Sequence, residues 1–370
     1  MMNYVSKIVS SPFNPVQKTL FHQDMRTYKF TKSKPKPVYI RLRNNLEEFT
    51  ESINTADMIP YVRIKPPWSN ITPPVDLCLA EFKKDVTPPI VFQTKFNESI
   101  NTKYPNNILC FTDGSKTRDV TNCAFSIDNL VSSSSLNPIN TIFSAELLAL
   151  YLCLEAIKES TSINFLVISD SKSALTAVSN IQFANPLVSK VYTTWEDTKG
   201  LGKNVTFMWC PSHCGIRGNE TVDNAARYHN PQLNQIMLCT PEDFKPYIKS
   251  LTLKSWQQDW NNVSNTNKLK TIKPMIQTWQ TSNQEKRYQE IVLTRMRIGH
   301  TRATHSYLFT RTDPPLCQCG EPVTVRHIMS CLRHTNTRNS LPTPPTLEDN
   351  TEGVKSLFKY LKLLNMYHLI

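Results

Sequence analysis

Four acidic residues of this 370-residue chain stand where secondary-structure elements should begin or end. Asp113 follows the apolar run at 108–111, and Asp170 follows the one at 165–168. Glu146 falls in the opening turn of an amphipathic stretch, and Asp223 lies about one turn into a later helical segment. Adjacent strands would bring Asp113 and Asp170 together, and helices packed on the same sheet would aim Glu146 and Asp223 at that point. Carboxylate oxygens are hard ligands that suit Mg²⁺ or Mn²⁺, and two such ions roughly 4 Å apart activate a water and stabilise the departing oxygen of a phosphodiester. Taken singly, each acid has an ordinary reading: Glu146 as a helix N-terminal charge, Asp113 before Gly114 as a turn residue. A second group, Cys317, Cys319, His327 and Cys331, has the spacing C-x-C-x7-H-x3-C. Four soft ligands suit tetrahedral Zn²⁺ in a closed, structural site, the alternative being unconnected thiols.

The elements that must position these residues are legible in outline. The runs at 108–111, 123–127, 141–143, 165–168 and 205–209 read as short strands bounded by turn residues. Ser144 is the expected cap of a helix whose apolar positions are Leu147, Leu148, Tyr151, Leu154 and Ile157. Ser171 opens a second helix, another follows Pro186, and Asn219 is the expected cap of one more. Three strands, helix, strand, helices, strand, helix is a mixed α/β order. Beyond Thr240 the chain reads as mainly helical, and 335–346 is a low-complexity stretch of Thr, Asn and Pro. The expected organisation is a Pro-rich basic connection at 1–104, an α/β domain at 105–230, a helical basic region with the Cys/His group at 240–334, and a low-complexity segment with a terminal helix at 335–370.

Charge is unevenly spread. Residues 1–107 carry 15 Lys and Arg against 9 Asp and Glu, residues 108–228 carry 9 against 11, and residues 240–334 carry 14 against 7. A cationic surface attracts polyanions without regard to sequence, so basic flanks around an acidic centre suit a metal site served by RNA- or DNA-binding arms. The longest apolar stretches, such as 147–154, fall short of the roughly 20 residues of a membrane span, and residues 1–20 lack the apolar segment of a secretory signal. No membrane partner and an intracellular location, nucleus or cytoplasm, are expected. The ten cysteines are then expected to be mostly reduced.

Thr112-Asp113-Gly114-Ser115, Ala145-Glu146-Leu147, Ser169-Asp170-Ser171 and the stretch Pro211-Ser212-His213-Cys214-Gly215-Ile216-Arg217-Gly218-Asn219-Glu220-Thr221-Val222-Asp223 resemble the four motifs of the ribonuclease H family. More narrowly, they resemble the ribonuclease H domain at the end of the polyprotein of jockey-like, non-LTR retrotransposons. The resemblance implies a mixed five-stranded sheet flanked by helices and endonucleolytic cutting of RNA paired to DNA. It implies Asp113, Glu146, Asp170 and Asp223 as ligands of two Mg²⁺ or Mn²⁺ ions, and His213 as a loop histidine that aids proton transfer or product departure. Selecting a hybrid requires sensing the ribose 2′-hydroxyls, for which Ser115, Asn219 and Glu220 are candidates by position; otherwise they are a turn hydroxyl, a helix cap and a first-turn charge. The sequence departs from the pattern in having no glycine at 116–122, so a wide first hairpin is expected.

Arg295-Met296-Arg297-Ile298-Gly299-His300-Thr301 and the Cys/His group resemble the C-terminal segment of the same polyproteins. Arg295, Arg297 and Arg302 are candidate phosphate contacts, and Trp256, Trp260 and Trp279 read as core residues. Pro66-Pro67-Trp68 and the stretch to Tyr104 resemble the connection preceding ribonuclease H, and a reverse transcriptase signature is not found, so a terminal fragment of a transposon-derived frame is expected. The competing reading is a binding protein whose ribonuclease H fold is an inactive scaffold. Intact carboxylates argue against it.

Overall fold

Cys110 and Phe111 are neighbours in sequence, yet they pack into different apolar clusters. The same division separates Val167 from Leu166 and Ile168, and Phe207 from Met208. Alternation of this kind places one hydrophobic layer on each face of a sheet, because successive strand side chains point to opposite sides. The computed structural model describes residues 7–8, 56–60, 71–180, 185–228, 234–264 and 266–370. The basic Pro-rich stretches at 34–37 and 66–68 lie outside them. The chain divides into two compact units, 1–248 and 249–370.

In the first unit the strands are β1 (Asp57–Met58), β2 (Val75–Asp76), β3 (Ile108–Lys116), β4 (Thr121–Ile127), β5 (Leu130–Leu136), β6 (Asn164–Ser169), β7 (Asn204–Trp209), β8 (Asn234–Ile236) and β9 (Leu238–Cys239). Seven of them form one sheet in the order β2-β7-β6-β3-β4-β5-β8, and β1 pairs with β9 separately. The β3–β4 and β4–β5 pairs are antiparallel, while β3–β6, β6–β7, β2–β7 and β5–β8 are parallel. This is the mixed five-stranded sheet expected, widened by short β2 and β8 at its edges. The helices are α1 (Pro89–Lys103), α2 (Ile142–Glu159), α3 (Lys172–Ser179), α4 (Pro186–Gly200) and α5 (Arg217–Arg227). Residues of α2, α3 and α4 fill one apolar layer, and those of α1 and α5 the other.

Two local expectations are corrected. The third strand is β5, not 141–143; four consecutive serines, Ser132–Ser135, hid its alternation, whereas Thr141 caps α2 by accepting from the Ser144 backbone N–H. Ser144 therefore donates to the cap and is not itself the cap. The β3–β4 hairpin is closed by four residues without glycine, because Thr117 receives the Val120 N–H on its Oγ1 at 3.2 Å and donates its own N–H to Val120 O at 2.8 Å.

The start of α2 is held from beyond the α/β core. Asp243 is wholly buried, and its carboxylate accepts from Thr141 N (2.7 Å), Thr141 Oγ1 (2.9 Å), Asn140 Nδ2 (3.3 Å), Thr240 N (2.8 Å) and Thr240 Oγ1 (2.8 Å). An anion at a helix N-terminus is favoured by the exposed N–H groups and the helix dipole.

The second unit is helical, with α6 (Phe244–Asn262) running across the division and α7 (Lys268–Ile272), α8 (Arg287–Ile298), α9 (Arg302–His305), α10 (Tyr307–Thr310), α11 (Val325–Ser330), α12 (Thr335–Asn339) and α13 (Thr351–Leu363) following. Its core joins Val292, Leu293 and Met296 of α8 to Val325 and Ile328 of α11 and to Leu357, Tyr360 and Leu361 of α13. Leu341 packs into this core, so the low-complexity stretch is part of the unit. No helix among the described residues is long and apolar enough to cross a membrane. Replacing Asp243 with Ala strips five donors of a buried acceptor and is expected to cost about 3 kcal/mol, read as a lowered urea midpoint for the first unit. An unchanged midpoint would show that the clamp contributes nothing.

Candidate active site

Asp113 lies within β3, Glu146 five residues into α2, and Asp170 directly after β6. The parallel pairing of β3 with β6 sets Thr112 opposite Ser169, so the two aspartates leave neighbouring strands side by side. Glu146 joins them because β3 and α2 approach closely at Gly114, where a Cβ would stand 2.6 Å from the Glu146 nitrogen. Only glycine fits that contact without a shift of strand or helix. One carboxylate oxygen from each of Asp113, Glu146 and Asp170 lies within 4.8 Å of the others. Asp223, nearly two turns into α5, clusters instead with His213 and Glu220. Its charge still acts on Asp113, Glu146 and Asp170, raising the proton affinity of each.

Burial and like charges set the electrostatics. Asp113 is pushed up to about 8, chiefly by desolvation and then by the charges of Asp170 and Asp223. Glu146 lies well above the usual carboxylate range, first by burial and then by Asp113 and Asp170. Asp170 is raised by burial against the opposing pull of the Asn219 amide, which donates to its Oδ2 at 3.4 Å. Asp113 Oδ2 and Glu146 Oε2 are buried and lack hydrogen-bond partners among the described residues. Buried acceptors left unmatched are costly unless something binds them. A hard-oxygen set with two orphaned atoms fits a divalent cation, whose charge would reverse these shifts.

Residues 105–230 match the family model for RNase H. No match is found among curated proteins. The RNase H domain thus covers all four carboxylates and the loop at 210–216.

On that loop His213 has a left-handed backbone (φ 52), its Nδ1 3.8 Å from Asp223 Oδ2 and 3.9 Å from Glu220 Oε2. Ser115 is half-buried on β3 beside Gly114. Asn219 is not the cap of α5, which starts after Ile216 with no side-chain cap. Its amide turns to Asp170, and its Oδ1 is buried without a partner among the described residues. Glu220 accepts the Gly215 N–H at 3.2 Å and so holds the loop. Sequence reasoning missed Arg227, whose Nη2 lies 2.9 Å from Asp223 Oδ1 and 3.3 Å from His213 Nε2. The signal was available in the four-residue spacing of the pair on one helix.

The Cys/His group also assembles. The Sγ atoms of Cys317 and Cys331 are 3.9 Å apart, as are those of Cys319 and Cys331, and Cys319 Sγ is 3.3 Å from His327 Nε2. A tetrahedral site with metal–sulfur bonds of ~2.3 Å has S···S edges of ~3.8 Å, so these separations fit zinc. The backbone N–H of Cys319, followed by the His327 side chain, holds the Cys317 thiol down at about 6. Behind the cluster Tyr360 Oη donates to Ile328 O at 2.7 Å, and Arg338 Nη1 donates to Cys331 O at 2.7 Å.

Among the arginines read as phosphate contacts, Arg297 has a structural task, whereas Arg295 and Arg302 are exposed. Arg297 is buried, donates to Leu347 O, Glu348 O and Thr281 Oγ1, and lies 4.1 Å over the Trp279 ring, so it cannot meet a phosphate without unfolding its surroundings. Arg295 donates to Ile370 O at 2.8 Å. Trp279 is a core residue as expected, whereas Trp256 is exposed.

A raised carboxyl pKa means that the folded protein holds a proton the unfolded chain has lost. Stability from Asp113 is therefore complete below its unfolded value of 3.8 and lost as pH climbs through about 8. Without metal, the melting temperature of the wild type should fall relative to Asp113→Asn as pH rises from about 5 to about 8, by a few degrees. Mn²⁺ should restore the wild type most strongly at the higher pH. Parallel profiles for the two proteins would contradict the assignment.

Proposed function

We propose that the chain is a metal-dependent endonuclease that hydrolyses the RNA strand of RNA/DNA hybrids. The observation that carries this reading is the convergence of Asp113, Glu146 and Asp170 with two buried, unpartnered carboxylate oxygens inside the RNase H domain. Asp113, Glu146, Asp170 and Asp223 would hold two Mg²⁺ or Mn²⁺ ions, which supply an activated water and charge neutralisation at the departing oxygen. His213, beside Asp223 on an exposed loop, moves a proton at its imidazole or helps the cut strand leave. Asn219 fixes Asp170 through its amide, and its free Oδ1 is an acceptor suited to a ribose 2′-hydroxyl, the group that separates RNA from DNA. Ser115 is a second candidate for such contact by its place beside Gly114. Arg227 neutralises Asp223, and its guanidinium, 3.3 Å from His213 Nε2, is placed to steer a phosphate.

The motif order, followed by the C-x-C-x7-H-x3-C group, further supports descent from a non-LTR retrotransposon polyprotein. In the second unit, Cys317, Cys319, His327 and Cys331 would hold a structural Zn²⁺.

With a labelled RNA/DNA hybrid and Mg²⁺ or Mn²⁺, only the RNA strand should be cut, and Asp113→Asn should lower the rate by at least about 10²-fold. Binding without cutting under every metal condition would replace this reading with that of a scaffold. Metal analysis should find about one zinc per chain in the second unit, lost in Cys319→Ser, with the exchange protection of α11 falling alongside. Zinc retained in that variant would sink the four-ligand assignment.

A further inference from the structure

His213 holds a left-handed backbone, a state that a residue with a Cβ keeps only where its surroundings over-determine it. Glu220 supplies one restraint, on Gly215, from inside the RNase H domain. Arg227 and Asp223 lie against the His213 ring from the same domain, and two further restraints on the loop come from upstream of the segment that matches the family. Gln93 Nε2 donates to Cys214 O at 2.9 Å, and Lys84 Nζ donates to Ser212 Oγ at 2.8 Å. These two contacts bracket His213 on either side. Gly215 has φ 74, and a Cβ there would stand 2.3 Å from Gln93 Nε2, so the glutamine lies directly against the loop.

The element that presents Gln93 is itself firmly seated. Pro89 opens α1, where its fixed φ and missing N–H cost nothing. Phe92 and Phe96, on either side of Gln93 in sequence, are buried, with Phe96 6.3 Å from the Phe111 ring and Phe82 6.1 Å from that of Phe92. At the far end of α1, Tyr104 Oη and Lys103 Nζ donate to Asp76 Oδ2 at 2.9 and 3.2 Å. Asp76 belongs to β2, which pairs with β7, and β7 runs directly into the His213 loop. Strand, helix and loop are thus tied to one another through the neighbours of the histidine.

We propose that Gln93, assisted by Lys84, is a positioning residue that sets the placement of His213 for catalysis, an inference that rests on the nuclease reading above. It makes the stretch 75–104 a working part of the active site and not only a connection leading into it.

The test uses the full chain, an RNA/DNA hybrid and Mn²⁺, with Gln93→Ala, the isosteric Gln93→Glu that loses the donor, Lys84→Ala, His213→Ala and the Gln93→Ala/His213→Ala double variant. Gln93→Ala and Gln93→Glu should each lower kcat on the order of 10-fold with KM within about twofold, as expected of a misplaced group that does not bind substrate. Lys84→Ala should lose less. In the His213→Ala background the glutamine substitution should add no further loss, because a residue acting through the histidine has nothing left to position. Amide exchange at 211–216 should quicken by about 10-fold in Gln93→Ala while β3 and α2 keep wild-type protection. Unchanged cutting, a loss that multiplies onto His213→Ala, or unaltered exchange would overturn the proposal. Should the wild type cut no hybrid, the nuclease reading falls separately, and the exchange result alone then decides whether Gln93 holds the loop.

Discussion

The depth to which α2 settles on β3 governs the site, and Gly114 sets that depth. With no Cβ at this position, the helix backbone comes within contact of the strand, and the Glu146 side chain reaches the same space as Asp113 and Asp170. A side chain there would lift the helix and withdraw one of the three carboxylates. The helix is held at that depth from both sides: Leu147, Leu148, Leu150, Leu154 and Ile157 are fully buried below it, and Asp243 grips its N-terminus. Full burial of each such side chain is worth roughly 1.5–3 kcal/mol, so this layer has the means to hold carboxylates together against their repulsion.

That repulsion is what makes the site receptive. Of the four acids, Asp223 has a guanidinium partner and Asp170 an amide donor, while Asp113 and Glu146 each retain a buried oxygen without one among the described residues. Their raised proton affinities follow from burial first and from their neighbours' charge second. Protons or divalent cations both relieve the same strain, which links stability, pH and metal binding through one set of oxygens.

The α/β architecture extends past the segment that matches the family at both ends. Upstream, β2 lengthens the sheet and α1 supports the His213 loop. Downstream, β8 pairs with β5, and Asp243 reaches back to α2. The second unit has its own apolar core and places the Cys/His group directly against it through Tyr360 and Arg338. Of the arginines that the sequence offered as phosphate contacts, Arg297 is spent inside this unit against Trp279, while Arg295 and Arg302 are exposed.

The sequence by itself determined the α/β class, most strands and helices, the convergence of Asp113, Glu146 and Asp170, and the grouping of the Cys/His residues, because apolar periodicity and motif spacing are local properties. The cap at Ser171 and the helix after Pro186 were legible for the same reason. It did not reveal β5, whose four serines carry no apolar alternation, nor the cap at Thr141, which competed with Ser144 three residues on. Only the tertiary structure decided that Asp223 turns toward His213 and Arg227, that Asn219 serves Asp170 and not its own helix, and that Arg297 is buried. It alone joined Gln93 and Lys84 to a loop more than a hundred residues away. Such contacts depend on how sheet, helices and loops pack in three dimensions, and a side chain's partner across that packing leaves no period in the sequence.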